Sequence, residues 1–147
     1  MTPHFTLDEF VRSDTATRLG ISNALPEHLR DEARQTLEMA ERIRAHLGKP
    51  VIITSGYRSP ELNRILNSRA TSDHLQARAI DFIVPSFGSP IEVCFALQGV
   101  LDSLGIGQLI HEFGRWVHAS RVIPSRPVNR LITIDRQGVM PGIVPAR

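Results

Sequence analysis

The chain holds one cysteine, one tryptophan and one tyrosine in 147 residues. A lone Cys94 cannot close an internal disulfide, so no covalent framework holds the fold. It lies in the apolar helical run Val93-Cys94-Phe95-Ala96-Leu97, where packing accounts for it. A nucleophilic role would need a partner base that nothing near it identifies. Few aromatic stacking platforms and scattered basic residues argue against nucleic acid as the partner. No apolar stretch approaches a membrane span, so stable membrane insertion is not expected. The first residues, Met1-Thr2-Pro3-His4-Phe5-Thr6, lack a basic segment followed by an apolar one. No conventional signal peptide is visible, and synthesis in the cytoplasm is expected. Net charge is also scarce, at +2, although the pI near 9.3 reflects an arginine-dominated basic set. That balance suits an anionic envelope surface and simple solubility equally. No repeat, linker or second module is visible.

What is present fits one compact domain over residues 1–147, with 41% hydrophobic residues, enough for a real core. Thr6-Leu7-Asp8-Glu9 reads as a capping box that opens a short helix. A longer helix is expected from Pro26 to Leu47, with Leu29, Ala33, Leu37, Ala40, Ile43 and Leu47 on one face and Gly48 at its end. Val51 to Thr54 reads as the first strand, and Ser59-Pro60 starts another short helix through Leu66. Ser89-Pro90-Ile91-Glu92 opens a helix expected to run to Leu104. Strands are expected at Ala79 to Val84, Gln108 to Glu112, Trp116 to Val122 and Leu131 to Ile134. The Pro- and Gly-rich tail from Met140 to Arg147 reads as loosely held. Helices gathered mainly in the first half and strands split around a helix argue for an α+β domain with a small, mostly antiparallel sheet.

Three groups carry the chemistry: His74 and Asp81 in S-D-H-L-Q-A-R-A-I-D, and His118 in W-V-H-A-S. Two imidazoles and a carboxylate are a candidate ligand set for catalytic zinc, leaving a fourth position for water. Asp81 lies inside a run that reads as a buried strand, and a buried acid must be paired, hydrogen-bonded or bound to metal. Period-two alternation puts Trp116, His118 and Ser120 on one strand face, so His118 can share a surface with Asp81 if the strands are neighbours. The plainer alternative is a buried His-Asp pair with an unrelated core histidine.

The segments S-G-Y-R-S (Ser55 to Ser59), S-D-H-x6-D (Ser72 to Asp81) and W-V-H (Trp116 to His118) resemble, in that order, the zinc D-alanyl-D-alanine metallopeptidases. That family includes D,D-carboxypeptidases, D-Ala-D-Ala dipeptidases and phage L-alanyl-D-glutamate endopeptidases. The resemblance implies a Hedgehog/D,D-peptidase-like fold with zinc on one face of the sheet, held by His74, Asp81 and His118. It implies that Arg58 anchors a carboxylate or carbonyl of the substrate, which the planar guanidinium suits. Gln76, Ser72 and Tyr57 are further expected substrate contacts.

Two positions depart from the family pattern. Ala77 stands where relatives carry glycine three residues after the first histidine, and would be strained if that position needs positive φ. Arg115 and Trp116 stand where many relatives place the general base. The nearest upstream acid is Glu112. A three-residue hairpin loop, Phe113-Gly114-Arg115, pairs Glu112 with Trp116 and puts Glu112 diagonal to His118; a two-residue loop would make His111 the base instead.

The function these readings imply is hydrolysis of a peptide bond in peptidoglycan by a zinc enzyme, with Glu112 as the favoured base. The expected form is a phage-type endolysin, a monomer acting on the wall after release from the cytoplasm. A bacterial D,D-carboxypeptidase or dipeptidase, and a non-catalytic zinc-containing wall-binding or virion module, are the alternatives.

Overall fold

The computed structural model describes residues 1–147. Its N-terminal third is helical where caps and apolar spacing direct it. Thr6 and Glu9 cap one another to open α1 (Leu7–Val11), whose Phe10 is fully buried. A helix the sequence reading passed over, α2 (Asp14–Leu19), starts at the Ser13 cap and stops at Gly20 in the left-handed region. The long expected helix begins later than Pro26: Glu27–Leu29 form a 3-10 turn, and α3 proper runs Arg30–Leu47 to Gly48 at φ 66°. Its face of Ala33, Leu37, Ala40 and Ile43 is wholly buried, each larger side chain contributing roughly 1.5–3 kcal/mol.

Strand β1 (Ile52–Ser55) leads into α4 (Pro60–Ile65), and a 3-10 turn over Asp73–Gln76 leads into β2 (Ala79–Ile83). The helix expected from Ser89 to Leu104 is interrupted. It splits into α5 (Pro90–Leu97) and α6 (Leu101–Leu104), because Gly99 is a poor helix former and Val100 leaves helical φ at −131°. Strands β3 (Ile106–Glu112), β4 (Trp116–Arg121), β5 (Arg130–Asp135) and β6 (Gly138–Pro141) complete the chain.

The six strands form one sheet in the order β1-β2-β4-β3-β5-β6, antiparallel throughout except that β5 runs parallel to β3. The α+β expectation therefore holds. Alternation along each strand divides the sheet into two faces. Ile80, Phe82, Leu109, Val117 and Ala119 join Leu37, Ile43 and Leu97 in the core on the helical side. Asp81, His118, Ile110 and Ile132, paired in sequence across β2, β4, β3 and β5, stand in one row on the other face.

The tail corrects the sequence reading, which took its Pro and Gly as signs of looseness. Residues 138–141 pair with β5 as a hairpin, and beyond them the buried Thr133 hydroxyl donates to Gly142 O at 2.9 Å and accepts from Val144 N–H at 3.0 Å. Arg147 bonds the buried Asp135 through its backbone N–H and Nε, both at 2.9 Å. Backbone polarity, which composition does not report, holds the segment. Replacing Thr133 with Val should strip two partners from the tail, lowering stability by about 2 kcal/mol and the melting temperature by several degrees; an unchanged melt would show that the tail is not tied through Thr133.

Candidate metal centre

Asp81 sits at the middle of β2, where the pleat turns its carboxylate away from the helices while Ile80 and Phe82 enter the core. The register places His118 of β4 directly opposite. His74 reaches the same point from the Asp73–Gln76 turn, whose cap Ser72 accepts from the His74 backbone N–H at 3.3 Å. Ala77 ends that turn at φ 57°, the left-handed conformation in which the sequence reading expected strain. A side chain there costs roughly 1–2 kcal/mol. Packing holds it: the methyl is fully buried, and the Thr36 hydroxyl donates to the Ala77 carbonyl at 2.7 Å.

One atom from each of His74, Asp81 and His118 lies within 4.8 Å of the other two, and all three residues are buried. His74 Nε2 stands 3.2 Å and His118 Nδ1 3.0 Å from Asp81 Oδ1. His74 Nδ1–H donates to the Gly56 carbonyl at 2.6 Å. A neutral His74 therefore turns a bare lone pair on a carboxylate oxygen, and two acceptors so close call for a cation between them. A proton is a poor one, because burial holds His74 below its ordinary pKa despite the opposing pull of Asp81. A divalent metal fits two imidazole nitrogens and one carboxylate oxygen with a position left open.

The rest of the electrostatics supports an ionised Asp81. Burial pushes its pKa up, but the neighbouring His74 and His118 outweigh this and hold it well below the carboxylate range. Burial alone would pull His118 down; the hydrogen bond to Asp81 and the charges of Asp81, Glu112 and Asp73 raise it instead. Arg58 also faces Asp81, its Nη2 3.1 Å from Oδ2 and its Nε 3.2 Å from Ser55 Oγ. Its guanidinium lines the site, with its fork engaged by Asp81 rather than free.

The hairpin adopts the three-residue loop. Glu112 pairs with Trp116 and Ile110 with His118, so Glu112 shares the face of His118 and His111 takes the opposite one. Glu112 Oε1 lies 3.8 Å from His118 Nδ1. His111 is buried behind the sheet, with Nδ1 donating to Val144 O at 2.9 Å. Burial and the Asp81 charge raise the Glu112 carboxyl to about 7, against the opposing charges of His118 and Arg58.

Arg58, Ser72, His74, Asp81, Glu112 and His118 line a cleft of about 450 Å³, walled on one side by Ile110, Ile132, Ile134 and Val139. A second hollow of about 350 Å³ shares Arg58 and Asp81 and continues past Ser13, Thr54 and Trp116. Tyr57 and Gln76 are not in this cleft, a correction to the substrate contacts expected from sequence; they line a separate cavity with His28, Asn63 and Arg64. Gln76 follows His74 by two places in a turn of about 120° per residue and so points elsewhere, while Tyr57 is packed into the core. The Ile132, Ile134 and Val139 wall had no sequence signal beyond strand alternation.

Residues 3–120 match the family model described as peptidase M15, a stretch that contains Arg58, His74, Asp81, Glu112 and His118. No curated protein matches the chain.

Glu112 has a consequence for stability in the metal-free protein. Its folded pKa, about 7, lies above the ordinary 4.5, so the native state binds more protons than the unfolded one between these values. Its contribution is full below pH 4.5 and is lost as pH rises through about 7. Melting curves of wild type and Glu112→Gln across this range should converge at the acid end and diverge toward neutrality, with the variant the more stable; parallel curves would refute the shift.

Proposed function

This chain belongs to the M15 peptidase family, a family of zinc metallopeptidases, and on that premise we propose that it hydrolyses a peptide bond in the peptidoglycan stem peptide or cross-link as a phage-type endolysin. The observation that carries the reading is the convergence of His74, Asp81 and His118 in a cleft with Glu112 at its edge. His74 Nε2, Asp81 Oδ1 and His118 Nδ1 would hold the zinc. Bound there, zinc supplies a Lewis acid that acidifies water and polarises the scissile carbonyl.

The protein's own residues do the rest. Glu112 takes the proton of the attacking water on its carboxylate and returns it to the leaving amine. Without the metal, burial and the Asp81 charge hold this carboxyl at about 7, and the charge of a bound cation would draw it down toward the ionised form that a base needs. Arg58 keeps Asp81 ionised and in place, and offers its remaining N–H groups to a substrate carbonyl or carboxylate. Ser72 presents its hydroxyl to the same cleft. The isoleucine and valine wall suits the small apolar side chains of an alanine-containing stem peptide.

Support for an internal cut, as opposed to the carboxypeptidase or dipeptidase alternative, comes from the second hollow. The two hollows share Arg58 and Asp81 in their walls, and a chain laid across both would have room on either side of the bond. The non-catalytic wall-binding module rested on Ala77 and on the missing acid before His118; Ala77 is held by packing, and Glu112 supplies an acid from across the hairpin. No helix is long and apolar enough to cross a membrane. The enzyme would act as a monomer on the wall after release from the cytoplasm.

Incubation with isolated peptidoglycan should release peptides whose new amino termini, read by mass spectrometry, name the bond, and a chelator should abolish the release. Glu112→Gln should retain zinc while turnover falls by roughly 10²–10⁴. A zinc-loaded protein that frees nothing from several wall types would transfer the case to the binding module.

A further inference from the structure

The face that carries His118 also carries Ser120, two residues on, and the function proposed above leaves Ser120 without a role. Ser120 is fully buried, and its Oγ lies 2.8 Å from His118 Nε2. The other ring nitrogen, Nδ1, faces Asp81 Oδ1 at 3.0 Å, on the side where the ion would sit. An imidazole that gives Nδ1 to a metal carries its hydrogen on Nε2, and Ser120 Oγ is placed to accept it.

We propose that Ser120 is a positioning residue of the metal centre: accepting from Nε2–H, it fixes the ring and tautomer of His118 so that Nδ1 presents its lone pair to the ion. The proposal rests on the metal-binding reading of His74, Asp81 and His118. Gly56 performs the matching task for His74, whose Nδ1–H it accepts at 2.6 Å. The two histidines thus bind through opposite nitrogens, His74 through Nε2 and His118 through Nδ1, each oriented by an outward hydrogen bond. Such outer partners raise ligand basicity, and their loss weakens metal binding roughly 10–100-fold.

The test is zinc affinity by competition with a chromophoric chelator, alongside melting of the zinc-free protein. Ser120→Ala should weaken zinc binding roughly 10–100-fold while the zinc-free melt moves little. In the zinc-loaded wild type, ¹⁵N spectra of the imidazoles should show a protonated, slowly exchanging Nε2 on His118. Zinc affinity within twofold of wild type for Ser120→Ala, or a protonated Nδ1 on His118, would each overturn the proposal. His118→Ala separates the two levels: zinc retained at wild-type affinity there would end the metal-binding reading itself, whereas zinc lost there and unchanged in Ser120→Ala would end only the role of Ser120.

Discussion

A carboxylate in the middle of a buried strand is the constraint around which this molecule is arranged. Asp81 is 4% exposed, and an unpaired charge at that depth is strongly destabilising. It is tolerated because three cations or potential cations converge on it: His74 and His118 on one oxygen, Arg58 on the other. Each arrives from a different part of the chain, a loop, a neighbouring strand and the segment after β1. The fold and the site are therefore one construction problem: whatever seats Asp81 also assembles the groups that could hold a metal.

Two backbone positions near that carboxylate accept unusual local conditions to make the assembly possible. Ala77 sits in the left-handed region so that the chain can turn from the His74 loop straight into β2. Gly56 has no alternative, since a β-carbon there would stand 2.3 Å from the Phe10 carbonyl oxygen, and its own carbonyl is the acceptor that orients His74. Helix α1, remote from the chemistry in sequence, thus braces the loop that aims a ligand. Local strain of this kind persists where surrounding packing over-determines it.

The parts legible in the sequence are those that depend on period and capping. Alternation through Ile80, Asp81 and Phe82 and through Val117, His118 and Ala119 was enough to put Asp81 and His118 on one face, and the Thr6 and Ser89 capping boxes are present as read. The hairpin register was legible only as two alternatives, because loops of two and three residues fit the same letters. What escaped was decided by partners distant in sequence. The last strand and tail are held by Thr133 and Asp135, and Tyr57 and Gln76 lie beside ligand motifs yet turn away from the cleft, a matter of local angle that proximity in sequence does not reveal.

The parallel pairing of β5 with β3 has one more consequence. The ligand row and the acid of the hairpin lie within residues 3–120, whereas Ile132, Ile134 and Val139, the apolar wall, lie after them on strands that the family match does not reach. The candidate metal ligands and the apolar wall thus occupy consecutive stretches of one chain and meet only through the sheet. A change of terminal hairpin would alter the side chains that wall the cleft while leaving His74, Asp81 and His118 in place.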